Sequence, residues 1–274
     1  MGVRCRTLWQ EACLQTEELQ WSNTKLRTLL LRRLRLPLDL DNRHCKCGAP
    51  LDTLGDHRAA CSTVGTLQTR AVPLERTWAR VVREAGARTR THTYLRNLNL
   101  LDVGVRDDRR VEVTASGLTL HKGAQVAVDA TLVSPLTRQG QAKPKAHWQD
   151  GAALLNARKD KAKKYPELLR SHRCRLVTAG MEVGGRWDEA AYDFLVDLAK
   201  GKAEEAPKLL WGSAANGWLR RWVSMLSKAG MDSFANTLLH NTADTELWNS
   251  TVPPLGVVLC AAPESPACSR LGVR

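Results

Sequence analysis

The chain has 274 residues, of which 43% are apolar, enough for one core of roughly 150 to 200 residues with smaller appendages. Its formal net charge of +13 favours an anionic partner, most commonly nucleic acid. No apolar run reaches the roughly 20 residues that span a bilayer, and the first residues lack a signal-peptide core, so we expect an intracellular protein without a membrane partner.

Residues 1–40 are predicted to form a helical, basic N-terminal arm. Leu26, Leu30 and Leu34 recur at the four-residue spacing of one helix face, arginines surround them, and Pro37 ends the run. Two interpretations are open. One is a packed helix with a solvated arginine face, and the other is an arm that binds nucleic acid or acts as a nuclear-import signal.

Residues 41–66 carry a cluster of cysteine and histidine. Four side chains with zinc-ligand chemistry follow the spacing C-x-C-x9-H-x3-C: Cys45, Cys47, His57 and Cys61. A loop-rich segment this short has little core without a metal, and the scattered remaining cysteines indicate a reducing compartment rather than a disulfide framework. We therefore predict a structural zinc knuckle, with His44 as a substitute ligand and a metal-free loop as the alternative.

A helix is predicted from Pro73 to Gly86. Pro73 suits the first helical position and Gly86 suits a C-terminal stop. Glu75 then falls in the first turn, where a carboxylate stabilises the positive end of the helix dipole; the other interpretation is a metal ligand. Residues 90–105 carry a weaker strand signal.

The stretch 109–135 is predicted to form a β-hairpin. Its two segments are rich in Val, Thr and Leu, and a turn is expected at 120–123. A turn centred in this stretch would place Thr131 opposite Glu112. Alternation along the strands places Glu112, Asp129 and Thr131 on the same face of the sheet.

Acidic residues within apolar strands are costly to bury unless their charge is compensated. One interpretation of Glu112 and Asp129 is a pair of solvated carboxylates on the open face of an antiparallel sheet. The other is a site for a hard cation such as Mg²⁺, which takes one or two carboxylates, several waters and a substrate phosphate. The two strands alone leave both interpretations open.

The remainder of the chain alternates between helix and strand signals. A helix is predicted over 151–169, dense in lysines that suit a solvated face, and a strand over 174–183. Asp188 is predicted to cap the next helix, and a tryptophan stripe that includes Trp222 is predicted to pack in the core. Residues 241–274 lack periodicity and are predicted to form a disordered tail.

The order helix, strand, hairpin, helix, strand, with acids on the hairpin and lysines on the next helix, resembles the restriction-like PD-(D/E)XK endonucleases. With the upstream cysteine cluster, the chain is similar to the zinc knuckle and endonuclease of site-specific non-LTR retrotransposon polyproteins. The most specific pieces are CKCGAPLDTLGDHRAAC, RRVEVTASGL, AVDATLVSP and KAKKYPEL. The resemblance implies an α/β (α+β) fold, with a small mixed sheet flanked by helices as a restriction-endonuclease-like core over residues 70–240.

The resemblance also implies a set of site residues. Glu112 stands at the Asp of the "PD" motif and Asp129 at its (D/E) position, and both would bind Mg²⁺. Thr131 occupies the position of the motif's lysine. In the retrotransposon branch the lysine comes from the next helix, which makes Lys161 the first candidate and Lys164 the second.

The implied function is Mg²⁺-dependent nicking of DNA in the nucleus, which leaves a 3′-hydroxyl that primes reverse transcription. DNA is the expected partner, with RNA as a second nucleic-acid ligand. Because no reverse-transcriptase motif is present, the chain would be a detached 3′ portion of an element. One alternative is a non-catalytic zinc-knuckle remnant that binds nucleic acid, and the other is a structural-zinc protein without a nucleic-acid role.

Overall fold

A computed structural model describes residues 20–38, 44–45, 47–62, 66–98, 100 and 103–239. Within these ranges the helices are α1 (Asn23–Arg33), α2 (Asp56–Ala60), α3 (Thr66–Glu84), α4 (Ala152–Lys164), α5 (Pro166–Arg170), α6 (Glu189–Ala203) and α7 (Trp211–Leu239), and the strands are β1 (Arg88–Tyr94), β2 (Arg110–Ser116), β3 (Gln125–Val133) and β4 (Cys174–Glu182). The beginning of the predicted basic arm and the predicted disordered tail lie outside the described residues.

The four strands form one mixed sheet in the order β1-β2-β3-β4. The first three are antiparallel neighbours, and β4 pairs parallel to β3. A parallel pair needs a long crossover, which α4 and α5 supply. Helices flank this open sheet, and the predicted α+β fold class is therefore confirmed.

The hairpin register differs from the sequence prediction by two residues. Val113 pairs with Val128, where the predicted turn would pair it with Ala130, and the ladder ends there, so Thr131 is not the partner of Glu112. The predicted turn does form, with His121 in the left-handed region. However, residues 117–120 precede that turn whereas residues 123–124 follow it, and this asymmetry displaces the ladder. The acids nevertheless meet on the side that α4 covers, where Lys161 contacts both of them.

The main core lies on the sheet face that carries Val113 and Val128, under helices α3, α6 and α7. Trp78 of α3 is fully buried and its ring stacks on Phe194 of α6 at a centroid distance of 6.0 Å. Trp222, predicted to lie in the core, is fully buried there as well. Packing on this face leaves the opposite face, which carries the acids, to the crossover helices.

Helices α4 and α5 cover the second face. A Cβ atom on Gly180 would lie 3.1 Å from the Leu154 side chain, so the glycine allows α4 to approach β4 closely. Tyr165 and Leu168 pack with Ala127 of β3 in a smaller core. The single helix predicted over 151–169 is divided at Tyr165, because Pro166 lacks an amide donor and disfavours helical geometry in the residue before it.

Helix α3 begins earlier than predicted. It starts at Thr66, and Pro73 lies inside it rather than at its first position. Burial of Leu74, Trp78 and neighbouring apolar side chains against the sheet outweighs the proline's cost to the helix. Glu75 is therefore in the interior of α3, and its assignment to the helix dipole was wrong.

Among the described residues, no helix is long and apolar enough to cross a membrane.

Candidate functional site

The acid pair, Glu112 and Asp129, lies in the middle of the sheet with a lysine from α4 above it. Asp129 is fully buried. The Lys161 Nζ atom lies 2.5 Å from Asp129 Oδ1 and 3.9 Å from Glu112 Oε1. One cation therefore contacts both carboxylates across two strands and a helix that are distant in sequence.

The backbone also holds Glu112 in place. Its Oε2 atom accepts a hydrogen bond from the amide of Ala130, the residue after Asp129. The side chain of Glu112 thus links β2 to β3 just beyond the last pair of their ladder, Val113 with Val128. This contact fixes one oxygen of Glu112 and leaves Oε1 on the side of Lys161.

The two carboxylates are too close and too buried to ionise independently. Burial, followed by the negative charge of Asp129, raises the pKa of Glu112 to about 9. The two acids therefore resist carrying two negative charges at the same time. A divalent cation between the acids would supply the missing positive charge.

One oxygen of the pair is left without a partner. Asp129 Oδ1 contacts Lys161, whereas Asp129 Oδ2 is buried and makes no hydrogen bond in the part of the chain that the structure describes. An unsatisfied buried carboxylate oxygen is costly. Two carboxylates with an open oxygen match the donor preference of Mg²⁺, so these residues fit the ion that the sequence predicted.

Glu75 is a third acid that the sequence analysis did not assign to this site. Its side chain is buried in α3, and burial raises its pKa. The charges of His92, Asp129 and Lys161 act on it too, so its carboxyl group lies within electrostatic range of the acid pair. A sequence signal existed: Glu75 occupies the inward position three residues before Trp78, where an apolar residue is expected.

The structure separates the two lysine candidates. Lys161 contacts the acid pair, whereas the Lys164 Nζ atom lies 4.8 Å from the ring centroid of Tyr165. Lys164 is the last residue of α4, and its carbonyl accepts a hydrogen bond from Arg109. Lys164 thus does not reach the acids in this structure.

Tyr165 and Arg158 fix the position of α4 over the sheet. The buried Tyr165 hydroxyl donates a 2.7 Å hydrogen bond to the carbonyl of Arg110, which ties the end of α4 to the start of β2. One turn before Lys161, Arg158 pairs with Asp188 at 2.5 Å. Asp188 stands at the predicted N-cap of α6, but its side chain serves this ion pair instead of a capping hydrogen bond.

The predicted zinc ligands converge in a second site. The ligand atoms of Cys45, Cys47, His57 and Cys61 all lie within 4.8 Å of one another. Cys45 Sγ and Cys61 Sγ are 3.8 Å apart, and Cys47 Sγ is 3.3 Å from His57 Nε2. The cluster can hold a metal ion such as zinc, and His44, the substitute ligand, is outside it.

The carboxylate of Asp52 organises the segment that holds the four ligands, residues 45–61, which we call the metal segment. The Asp52 side chain accepts hydrogen bonds from the amides of Leu54, Asp56 and His57, which shapes the turn into α2. Gly55 has a φ of 74°, and a Cβ atom there would lie 2.7 Å from Leu238 of α7. A side chain at Gly55 would therefore strain the turn and push the metal segment away from α7.

Comparison with known proteins does not identify the chain: no protein-family model matches it, and no curated protein matches it.

Proposed function

We propose that the protein is a metal-dependent endonuclease that nicks DNA. The observation that carries the proposal is the contact of Lys161 with both Asp129 and Glu112, which lie on neighbouring strands. The order of one helix, three antiparallel strands, a helical crossover and a parallel strand also supports it, because restriction-like endonucleases have that order.

Hydrolysis requires a water oxygen to bond to phosphorus while the bond from phosphorus to the 3′ oxygen breaks and that oxygen takes a proton. Mg²⁺ held by Glu112 and Asp129 would lower the pKa of a bound water and neutralise charge on the phosphate. Lys161 carries a fixed positive charge between the same acids, where it can stabilise the negative charge that develops on the phosphate oxygens. Tyr165 holds the helix that positions this lysine.

A basic surface supports a nucleic-acid substrate. Besides the net charge of +13, the structure contains a cavity of about 660 Å³ at the tip of the central hairpin and the start of β4. Three of its lining residues are cations, Lys122, Arg173 and Arg175, and two histidines, His121 and His172, lie beside them. Such a surface suits phosphate groups, which dominate the affinity of sequence-independent DNA binding.

For the Cys45, Cys47, His57 and Cys61 cluster, we propose a structural zinc. A closed set of three cysteines and one histidine leaves no open coordination position for chemistry. Its contacts with α7 support a structural role, because Gly55 packs on Leu238 and the Arg58 side chain donates to the Leu238 carbonyl. The ion would hold the metal segment on the core.

Similarity to site-specific non-LTR retrotransposon polyproteins extends the proposal. The nick would leave a 3′-hydroxyl for priming reverse transcription in the nucleus, and the element's RNA would be a second ligand of the basic surface. A non-catalytic remnant that binds nucleic acid is the second candidate, favoured by Glu112 at the position where the motif has Asp.

Nicking of supercoiled plasmid with and without added Mg²⁺ tests the proposal. Mg²⁺ is omitted rather than chelated, because a chelator would also remove zinc. We expect Mg²⁺-dependent nicking by the wild type, none by Asp129→Asn, and wild-type nicking by Asp197→Asn, whose carboxylate is exposed on α6. Binding without nicking by the wild type would favour the non-catalytic remnant.

A further inference from the structure

The loop that joins β3 to α4 carries an exposed tryptophan. Trp148 has 65% of its surface accessible. The Lys145 Nζ atom lies 6.0 Å from its ring centroid, and the His147 ring lies 6.4 Å from it at a near-perpendicular angle. An aromatic surface with a cation beside it therefore stands in solvent on the segment that links Asp129 to Lys161.

Backbone hydrogen bonds hold this loop in one conformation. The Lys143 amide donates to Pro135, and the amides of Trp148 and Gln149 donate to the Lys145 carbonyl at 3.2 and 2.8 Å. Lys145 itself has a φ of 67°, a strained value for a residue other than glycine. The tryptophan is thus presented by a preorganised turn.

Contact with the metal segment braces the same loop. At Gly140, with a φ of 76°, a Cβ atom would lie 2.6 Å from Asp56 Oδ2. Asp56 in turn pairs with Arg35 at 2.9 Å and stands next to the ligand His57. The loop is therefore packed between the metal segment and α4.

We propose that Trp148 is a stacking surface for an unpaired nucleobase, with Lys145 beside its phosphate. An indole ring stacks on any base, and an adjacent lysine neutralises the backbone without reading sequence. The nearby carboxylate of Asp150 is paired with Arg186 at 2.9 Å, so its repulsion of a phosphate is reduced. The inference rests on the proposed nuclease function, because it names a feature of that substrate.

The place of Trp148 in the chain indicates which part of the substrate it binds. Residues 134–151 join β3 to α4, so Trp148 stands on the segment between Asp129 and Lys161. An exposed indole ring stacks on a base whose face is not already covered by its neighbours in a duplex. Trp148 therefore binds DNA that is single-stranded or opened near the nick.

The test compares Trp148→Ala, Trp148→Phe and Trp211→Ala in the full chain without added Mg²⁺. Trp211 is a matched control, since it is 39% exposed and also has a lysine, Lys208, 6.0 Å from its ring centroid. Affinity is measured by fluorescence anisotropy with a labelled single strand and with the duplex of the same sequence. A single strand that carries one 2-aminopurine reports stacking directly, because stacking quenches its fluorescence.

We expect Trp148→Ala to bind the single strand about tenfold more weakly, with duplex affinity almost unchanged and quenching abolished. Trp148→Phe should retain most of the affinity, and Trp211→Ala should behave as wild type. Equal single-strand binding by Trp148→Ala and Trp211→Ala would overturn the inference, as would an equal loss for single strand and duplex. Failure to nick plasmid while this preference persists would overturn the nuclease proposal alone.

Discussion

The ammonium of Lys161 lies 2.5 Å from Asp129 Oδ1 and 3.9 Å from Glu112 Oε1. Helix α4 therefore supplies the positive charge that is missing from β3, where Thr131 occupies the position of the motif's lysine. The carboxylates are part of one buried group, and Lys161 is the cation that contacts both in the described chain. Loss of this charge should therefore affect the proposed chemistry more than the binding of DNA.

Substitution Lys161→Ala should reduce plasmid nicking about a hundredfold, the size expected for removal of one preorganised charge at a transition state. Affinity for duplex DNA should stay within about twofold, since the substitution removes at most one interaction with a phosphate. Lys164→Ala is the control, because Lys164 lies over the Tyr165 ring and not on the acids. Normal nicking by Lys161→Ala would remove the role assigned to this lysine.

Glu75 should contribute to the binding of Mg²⁺. Its buried carboxyl group senses Asp129 and Lys161, so Glu75→Gln removes negative charge beside the proposed ion. We expect the Mg²⁺ concentration for half-maximal nicking to rise about tenfold or more, with nicking largely restored by excess Mg²⁺. Glu189→Gln, at an exposed position of α6, should leave the Mg²⁺ titration unchanged. A titration of Glu75→Gln that matches this control would exclude Glu75 from the site.

Purified protein should contain about one zinc per chain, and Cys61→Ser should lose it. The control is Cys174→Ser, because Cys174 lies in β4 and not in the metal segment. Burial raises the pKa of its thiol to about 12. Metal content is measured by elemental analysis after gel filtration. A full zinc complement in Cys61→Ser would show that the four ligands do not act together.

DNA binding should depend on the basic cavity at the hairpin tip. The double substitution Lys122→Ala with Arg175→Ala should reduce the slope of log affinity against log salt by about two, because each side chain would neutralise one phosphate. The control pair, Lys200→Ala with Arg220→Ala, removes the same charge from exposed positions of α6 and α7. Identical slopes for the two double variants would mean that the cavity does not bind phosphate.

Glu84 should make stability depend on pH in the acid range. A hydrogen bond from Arg221, with further ones from Trp222 and Arg80, lowers the pKa of this carboxyl group to about 2. Because the folded pKa lies below the unfolded value of 4.5, the stabilisation is present above pH 4.5 and is lost as pH falls toward 2.

Urea unfolding measures this effect. Glu84→Gln should reduce the free energy of unfolding by about 2 kcal/mol at pH 7, and the difference from wild type should shrink at pH 3. Glu205→Gln is the control, because the Glu205 side chain is 62% exposed and pairs with Lys202 in the last turn of α6. A difference that is constant from pH 7 to pH 3 would contradict the charge-based explanation.

Local patterns in the sequence determined much of the candidate site. Alternation along the strands predicted Glu112 and Asp129 on one face, and Lys161 contacts both acids although the hairpin register differs from the prediction by two residues. Helical geometry similarly turns Lys159 and Lys163, which lie two residues before and after Lys161, toward solvent, and both are exposed. The four metal ligands were identifiable because they lie close together along the chain.

The features that depend on distant segments are visible only once the chain is folded. Glu75 comes within electrostatic range of the acids because α3 packs on β2 and β3, and the hairpin register follows from a loop asymmetry that no single strand contains. The choice of Lys161 over Lys164 required the break at Tyr165 and its bond to Arg110. Alternation and helical spacing are properties of the local backbone, whereas register, burial and the meeting of charges arise from packing between elements that the sequence does not order in space.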